Sequence, residues 1–159
     1  MGQIALLSPP YMYTIDTSSL LTQKKGEAYS RETYVTLWDN IGKFIRDKKI
    51  VVCSEIAHEI QDKEISSWLS SLSCVIIEIN YEIQQNVTTV VTTNPKLINF
   101  NKRTSSGDAF LIATAMKYNL TIITEEKKTS PNKIPQICQS LGIDCVSINE
   151  LCGKEGWRF

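Results

Sequence analysis

The chain has 159 residues, 42% of them apolar, and 17 Lys+Arg offset 17 Asp+Glu. That length predicts one domain with a properly buried core. A net charge of zero argues against a protein that coats nucleic acid non-specifically, since such binding needs excess cationic charge, but it leaves room for a local basic groove.

Residues 1–10 hold a short apolar stretch with no charged n-region and no long apolar core. They do not read as a signal peptide and are expected to form a peripheral extension to a single domain spanning 1–159. No run approaches the roughly 20 apolar residues of a membrane span, so no membrane role and a cytoplasmic location are expected. The five cysteines (Cys53, Cys74, Cys138, Cys145, Cys152) form no CxxC pair and fit reduced thiols better than disulfides or zinc.

The first strand is expected at Met12–Ile15, with Asp16 at its end and Thr17, Ser18 and Ser19 directly after it. Tyr34, Leu37, Trp38, Ile41, Phe44 and Ile45 recur at helical spacing. A second strand, Ile50–Cys53, leads into a helix on which Glu55 and Glu59 share a face. His58, beside Glu59, is the only histidine, which excludes a metal-free RNase built on a histidine acid–base pair. A third strand is expected at Cys74–Ile79, then a helix through Ile83, Val87, Val90 and Val91. Ala109–Tyr118 predicts a strong helix with Ser105, Ser106 and Gly107 as its N-cap region and Asp108 in its first turn. Thr121–Thr124 reads as the fourth strand, again ending in acid at Glu125 and Glu126. A helix over Gln136–Leu141 stops at Gly142, and Asp144–Ile148 reads as the last strand. Strands alternating with helices predict a three-layer α/β/α sandwich with a central, mainly parallel sheet of about five strands.

Each acid taken alone has a bland reading: a turn or helix cap for Asp16, a dipole-stabilised first turn for Asp108, a solvated surface for Glu59, a loop charge for Glu125 or Glu126. Jointly they share one trait. Each lies just past a strand or on the helix that follows one, and in an open parallel sheet those positions converge on the carboxyl rim. Carboxylates gathered there repel one another unless a cation lies between them, and Mg²⁺ or Mn²⁺ suits oxygen ligands. Neighbouring side chains of an extended chain point to opposite sides, so Thr124 and Glu126 should face one way and Glu125 the other. Lys102, Arg103, Lys127 and Lys128, near the last two acids, are candidates for gripping a phosphate backbone.

These residues also carry a resemblance. Ile15-Asp16-Thr17-Ser18-Ser19-Leu20, Glu59, Asp108-Ala109-Phe110-Leu111-Ile112-Ala113-Thr114-Ala115 and Ile123-Thr124-Glu125-Glu126 resemble the four motifs of PIN-domain (PilT N-terminus-like) nucleases, which include the VapC-like toxins. The stretch opening at Asp108 is the most specific. The segment from Thr124 to Pro135, with the ending Gly156-Trp157-Arg158-Phe159, is similar to a short bacterial PIN subfamily without an assigned function. The resemblance implies Asp16, Glu59, Asp108 and Glu126 as catalytic acids and ligands of one or two Mg²⁺ or Mn²⁺ ions. It implies Thr17, Ser18 and Thr124 as hydroxyls for substrate or metal-bound water, and RNA hydrolysis as the reaction. The fourth acid of the family is usually an aspartate, and Glu126 is one methylene longer. The partners the resemblance allows are RNA, a cognate antitoxin and a second copy of the chain. Two other readings stay open: a PIN-like scaffold that binds RNA or protein without efficient catalysis, and a phosphatase or phospho-acceptor domain with Asp16 as nucleophile. The last is weakened because Ser18 stands where a partner aspartate would be.

Overall fold

The computed structural model describes residues 10–95, 106–129 and 133–159. Its strands are β1 (Tyr13–Ile15), β2 (Ile50–Cys53), β3 (Ile76–Ile77), β4 (Thr121–Ile123) and β5 (Cys145–Val146). Its helices are α1 (Thr17–Leu21), α2 (Val35–Arg46), α3 (Ser54–Glu59), α4 (Lys63–Ser71), α5 (Tyr81–Thr93), α6 (Ser106–Tyr118), α7 (Ile134–Leu141) and α8 (Ile148–Glu155). The five strands form one sheet in the order β3-β2-β1-β4-β5, and every pairing is parallel. This is the expected three-layer α/β/α sandwich.

Parallel strands are covered on both faces and so read as unbroken apolar runs. Ile50, Val51, Val52 and Cys53 of β2 are all fully buried, as are Ile15 of β1 and Ile122 and Ile123 of β4. Helix α2 buries one stripe, Leu37, Trp38, Ile41 and Ile45, the face predicted by their spacing. Helix α6 is buried nearly all round: Ala109, Leu111, Ile112, Ala113 and Ala115 are core residues, and the helix packs against α5, α3 and the three central strands. Its amino end is thereby fixed over the carboxyl rim of the sheet.

Several boundaries differ from the sequence reading. The third and fifth strands shrink to two residues each. Ser147 and Ile148, expected in the last strand, instead cap and open α8, where a capping box between Ser147 and Glu150 satisfies the free amides. Helix α6 opens at Ser106, so Gly107 lies inside its first turn rather than in a cap. Helices α1, α4 and α8 had no counterpart in the expected elements. The single histidine, His58, is exposed on α3. Residues 1–9 of the expected extension lie outside the described residues.

Candidate active site

The rim is assembled by strand register. Parallel pairing sets Ile15 beside Ile123, and the Asp16 amide donates to the Ile123 carbonyl at 2.9 Å. Asp16 and Thr124 therefore leave the sheet side by side, both almost fully buried. The Asp16 carboxylate is held at three points. Thr17 N–H donates to Oδ1 at 2.8 Å, while the Ser18 and Thr124 hydroxyls donate to Oδ2 at 2.7 and 2.9 Å.

Each of these two hydroxyls also accepts a backbone amide: Glu125 N–H reaches Ser18 Oγ at 3.0 Å, and Glu126 N–H reaches Thr124 Oγ1 at 3.2 Å. Each hydroxyl has one proton, and both protons point at Asp16. The 3.2 Å approach of Ser18 Oγ to Thr124 Oγ1 is then a contact between oxygens rather than a hydrogen bond. The pair ties Asp16 to the turn that carries the two glutamates. A carboxylate offers about four lone-pair sites, so one remains free on Asp16 Oδ1.

Glu59 enters from the end of α3. Its Oε2 accepts from the Thr17 hydroxyl at 3.1 Å. Its Oε1 lies so close to α6 that a Cβ added to Gly107 would be 1.9 Å away. Glu59 is an exposed residue, but its carboxylate is laid against the first turn of α6. Partial burial is the main reason its pKa is raised, with the negative charges of Asp16 and Glu55 adding to it and the Thr17 hydroxyl opposing.

Asp108 follows Gly107 in the same turn. Burial, then the charges of Asp16, Glu126 and Glu59, push its carboxyl up to about 7, against partial relief from Lys133. The four acids named from sequence therefore act electrostatically on one another, with Asp108 feeling the other three. Lys133 stands at the N-cap of α7. Gly107 was read only as part of a cap; the signal for its role was a glycine immediately before the aspartate.

The two adjacent glutamates go separate ways. Glu126 Oε1 accepts from the Ile134 amide at 2.9 Å, at the start of α7. Glu125 Oε2 accepts from the Ile148 amide at 2.9 Å, at the start of α8. Both thus serve as helix N-terminal acceptors. Of the candidate phosphate-gripping cations, Lys127 is exposed and forms no ion pair among the described residues. Lys128 is paired with Glu150 on α8. Lys102 and Arg103 lie outside the described residues.

The donors open to a cation are carboxylate and hydroxyl oxygens alone, which suits a hard divalent ion. Among the described residues no three acids, cysteines or histidines are disposed as a ready-made cage. An Mg²⁺ site commonly uses one or two carboxylates and keeps several waters, so an open cleft of this composition fits such an ion without closing around it. The negative charge of Asp16, Glu126 and Glu59, which adds to burial in raising Asp108 and which Lys133 only partly relieves, is the second point of fit.

A parallel five-stranded sheet between two layers of helices is a PIN-like arrangement. The chain itself belongs to the family described as "Domain of unknown function (DUF4411)", whose model matches residues 13–159. No curated protein matches it in sequence. Among solved structures it is similar to PAE2754 from Pyrobaculum aerophilum, at 13% identity and a TM-score of 0.55, over 95% of this chain and 93% of that one. It is also similar to a chain of VapBC2 from Rickettsia felis, solved bound to a DNA fragment from their promoter. There the identity is 16% and the TM-score 0.51, over 86% of this chain and 98% of that one. At these identities the likeness is one of fold.

Proposed function

We propose that this protein is a divalent-metal-dependent endoribonuclease, and that it acts as the toxin of a toxin–antitoxin pair. The observation that carries the reading is the cluster of Asp16, Glu59, Asp108 and Glu126, in which Asp108 is raised by burial first and then by the other three carboxylates. A fold keeps such a cluster at a cost, and a bound cation removes that cost. Asp16, Glu59 and Asp108 are the residues that would hold Mg²⁺ or Mn²⁺, with Glu126 acting through a water. When bound, such an ion polarises a phosphodiester oxygen and acidifies a water for in-line attack.

The chain supplies the rest. Ser18 and Thr124 fix the Asp16 carboxylate in one orientation, so its free lone pair always faces the cleft. The Thr17 hydroxyl orients Glu59 in the same way. Lys133 and Lys127 offer positive charge near the acids, where a phosphate backbone would pass. The substrate is then single-stranded or structured RNA, and the products carry 5′-phosphates. The toxin role takes support from the fold-level likeness to VapBC2, with an antitoxin as the partner that masks the cleft.

Incubation of single-stranded RNA with the purified chain in Mn²⁺ and in EDTA tests the reading. Cleavage in Mn²⁺ that EDTA abolishes, and that Asp16→Asn lowers by at least a hundredfold, is the expected result. Cleavage indifferent to EDTA would refute it. One observation favours a second reading, a PIN-like binding scaffold without efficient catalysis: Glu126 spends an oxygen on the amino end of α7. Binding of RNA without cleavage in Mn²⁺ selects that reading.

A further inference from the structure

A cavity of about 410 Å³ lies along the segments that lead away from Asp16 and Glu59. Its position follows from the chain: α1 starts at the cleft with Thr17 and leads out to Gln23, and α3 ends at Glu59, from which the chain runs on to Asp62, Glu64 and Ile65 in the cavity wall. Asp16 and Gln23 are seven residues apart, roughly 10 Å along a helical path. The segment between α1 and α2 is folded back on itself, with Tyr29 N–H on the Thr22 carbonyl and Arg31 N–H on the Gln23 carbonyl, both at 3.0 Å.

The wall has three properties. It is aromatic: Trp38 and Trp68 meet edge to face at 5.7 Å between centroids, and the Arg31 guanidinium lies over the Trp68 ring at 5.3 Å. It holds an unmade hydrogen bond: Gln23 is only 4% exposed, its Oε1 receives a long 3.5 Å contact from Arg31, and its Nε2 has no partner. A buried donor of this kind asks for an acceptor, and Arg31, an exposed residue, lies against the oxygen of the same side-chain amide. Thirdly, the wall is not basic. Lys24 is paired with Asp62 at 3.4 Å, which leaves Lys25 and Arg31 against Glu32, Asp39 and Glu64, none of them in an ion pair among the described residues. Three acids against two cations do not attract a phosphate. They suit a neutral planar ligand that both donates and accepts.

We infer that this cavity is a guanine-binding subsite that seats a base of the RNA chain crossing the acidic cleft. The choice of a nucleobase over another neutral planar ligand rests on the RNA-cleavage reading. Among the four bases guanine matches the wall most fully. Its O6 and N7 accept from Gln23 Nε2 and Arg31, and its N1–H and N2–H₂ donate to Asp39 or Glu64. The base stacks over Trp68 in the place Arg31 holds in its absence.

The test uses the full chain in EDTA, so that no cleavage is needed. Guanosine, adenosine, cytidine and uridine 5′-monophosphates are titrated in turn while tryptophan fluorescence is followed. The guanine nucleotide should bind at least tenfold more tightly than the others. Gln23→Met, Trp68→Leu and the exposed-site variant Asp39→Asn should each reduce that preference, and Asp16→Asn should keep it. Equal affinities, or a preference that survives Trp68→Leu and Asp39→Asn, overturn the subsite. Guanine preference in a chain that never cleaves RNA in Mn²⁺ keeps the subsite and overturns the nuclease reading. Cleavage without guanine preference does the reverse.

Discussion

Asp108 is the residue on which most of the site's physics falls. Its carboxyl moves from an ordinary 3.8 to about 7, first by burial and then by three neighbouring acids. Between those two values the folded chain holds a proton that the unfolded chain has lost. The contribution is therefore fully favourable below about 4, declines as pH rises, and is lost above about 7. Glu59 shifts in the same direction and adds to the slope. Asp108→Asn should abolish RNA cleavage. It should also make the metal-free chain more stable at pH 8, on the order of 2–4 kcal/mol, and flatten stability between pH 4 and 7. Urea melts across that range check both. Gly107 supplies a second residue-scale prediction. Its missing side chain is the space that the Glu59 carboxylate occupies, so Gly107→Ala forces Glu59 out of the cleft. Most of the activity should be lost while thermal melts show little change in stability, because the end of a flexible side chain can swing aside and alanine favours the helix; a fully active Gly107→Ala would show that Glu59 is not needed there.

At the scale of elements, the turn after β4 joins site and scaffold, because Glu126 caps α7 and Glu125 caps α8. Glu126→Gln keeps an acceptor for the Ile134 amide and loses a charge. It should lower activity clearly, though less than Asp16→Asn, and cost under about 1 kcal/mol. Glu125→Gln should cost a similar amount of stability and leave activity nearly intact. Side-by-side kinetics and melts of the two variants decide between them, and a larger activity loss from Glu125→Gln would reverse the assignment. The same elements show what the sequence could and could not reveal. The β2 strand and helices α2 and α6 were legible because their apolar residues recur without interruption. Helix α4 was not: Ser66, Ser67, Ser70 and Ser71 dilute it, and only Ile65 and Leu69 are buried. Helix α8 hid inside an apparent strand run, although Ser147 followed by Glu150 spelled its capping box. The acids after strands were visible because a strand end is a local pattern. Two contacts were not legible. The hydroxyl bridge from Ser18 and Thr124 to Asp16, and the nesting of Glu59 on Gly107, join residues distant in sequence, and only the folded sheet brings them together.

Across the whole molecule, a core of β-sheet and α6 holds several carboxylates closer together than they would lie in an unfolded chain. The folded state thus carries repulsion that a divalent ion should remove. No helix among the described residues is long and apolar enough to cross a membrane. The most direct measurement is thermal unfolding at pH 8, in EDTA and in Mn²⁺, of the natural chain and of Asp108→Asn. Mn²⁺ should raise the midpoint of the natural chain by roughly 5–10 °C, the scale expected when a few kcal/mol of repulsion is relieved. Asp108→Asn should start from a higher midpoint in EDTA and gain little from Mn²⁺. A natural chain whose midpoint ignores Mn²⁺, or an Asp108→Asn variant that gains as much from the ion as the natural chain does, would contradict a metal site built on these four acids.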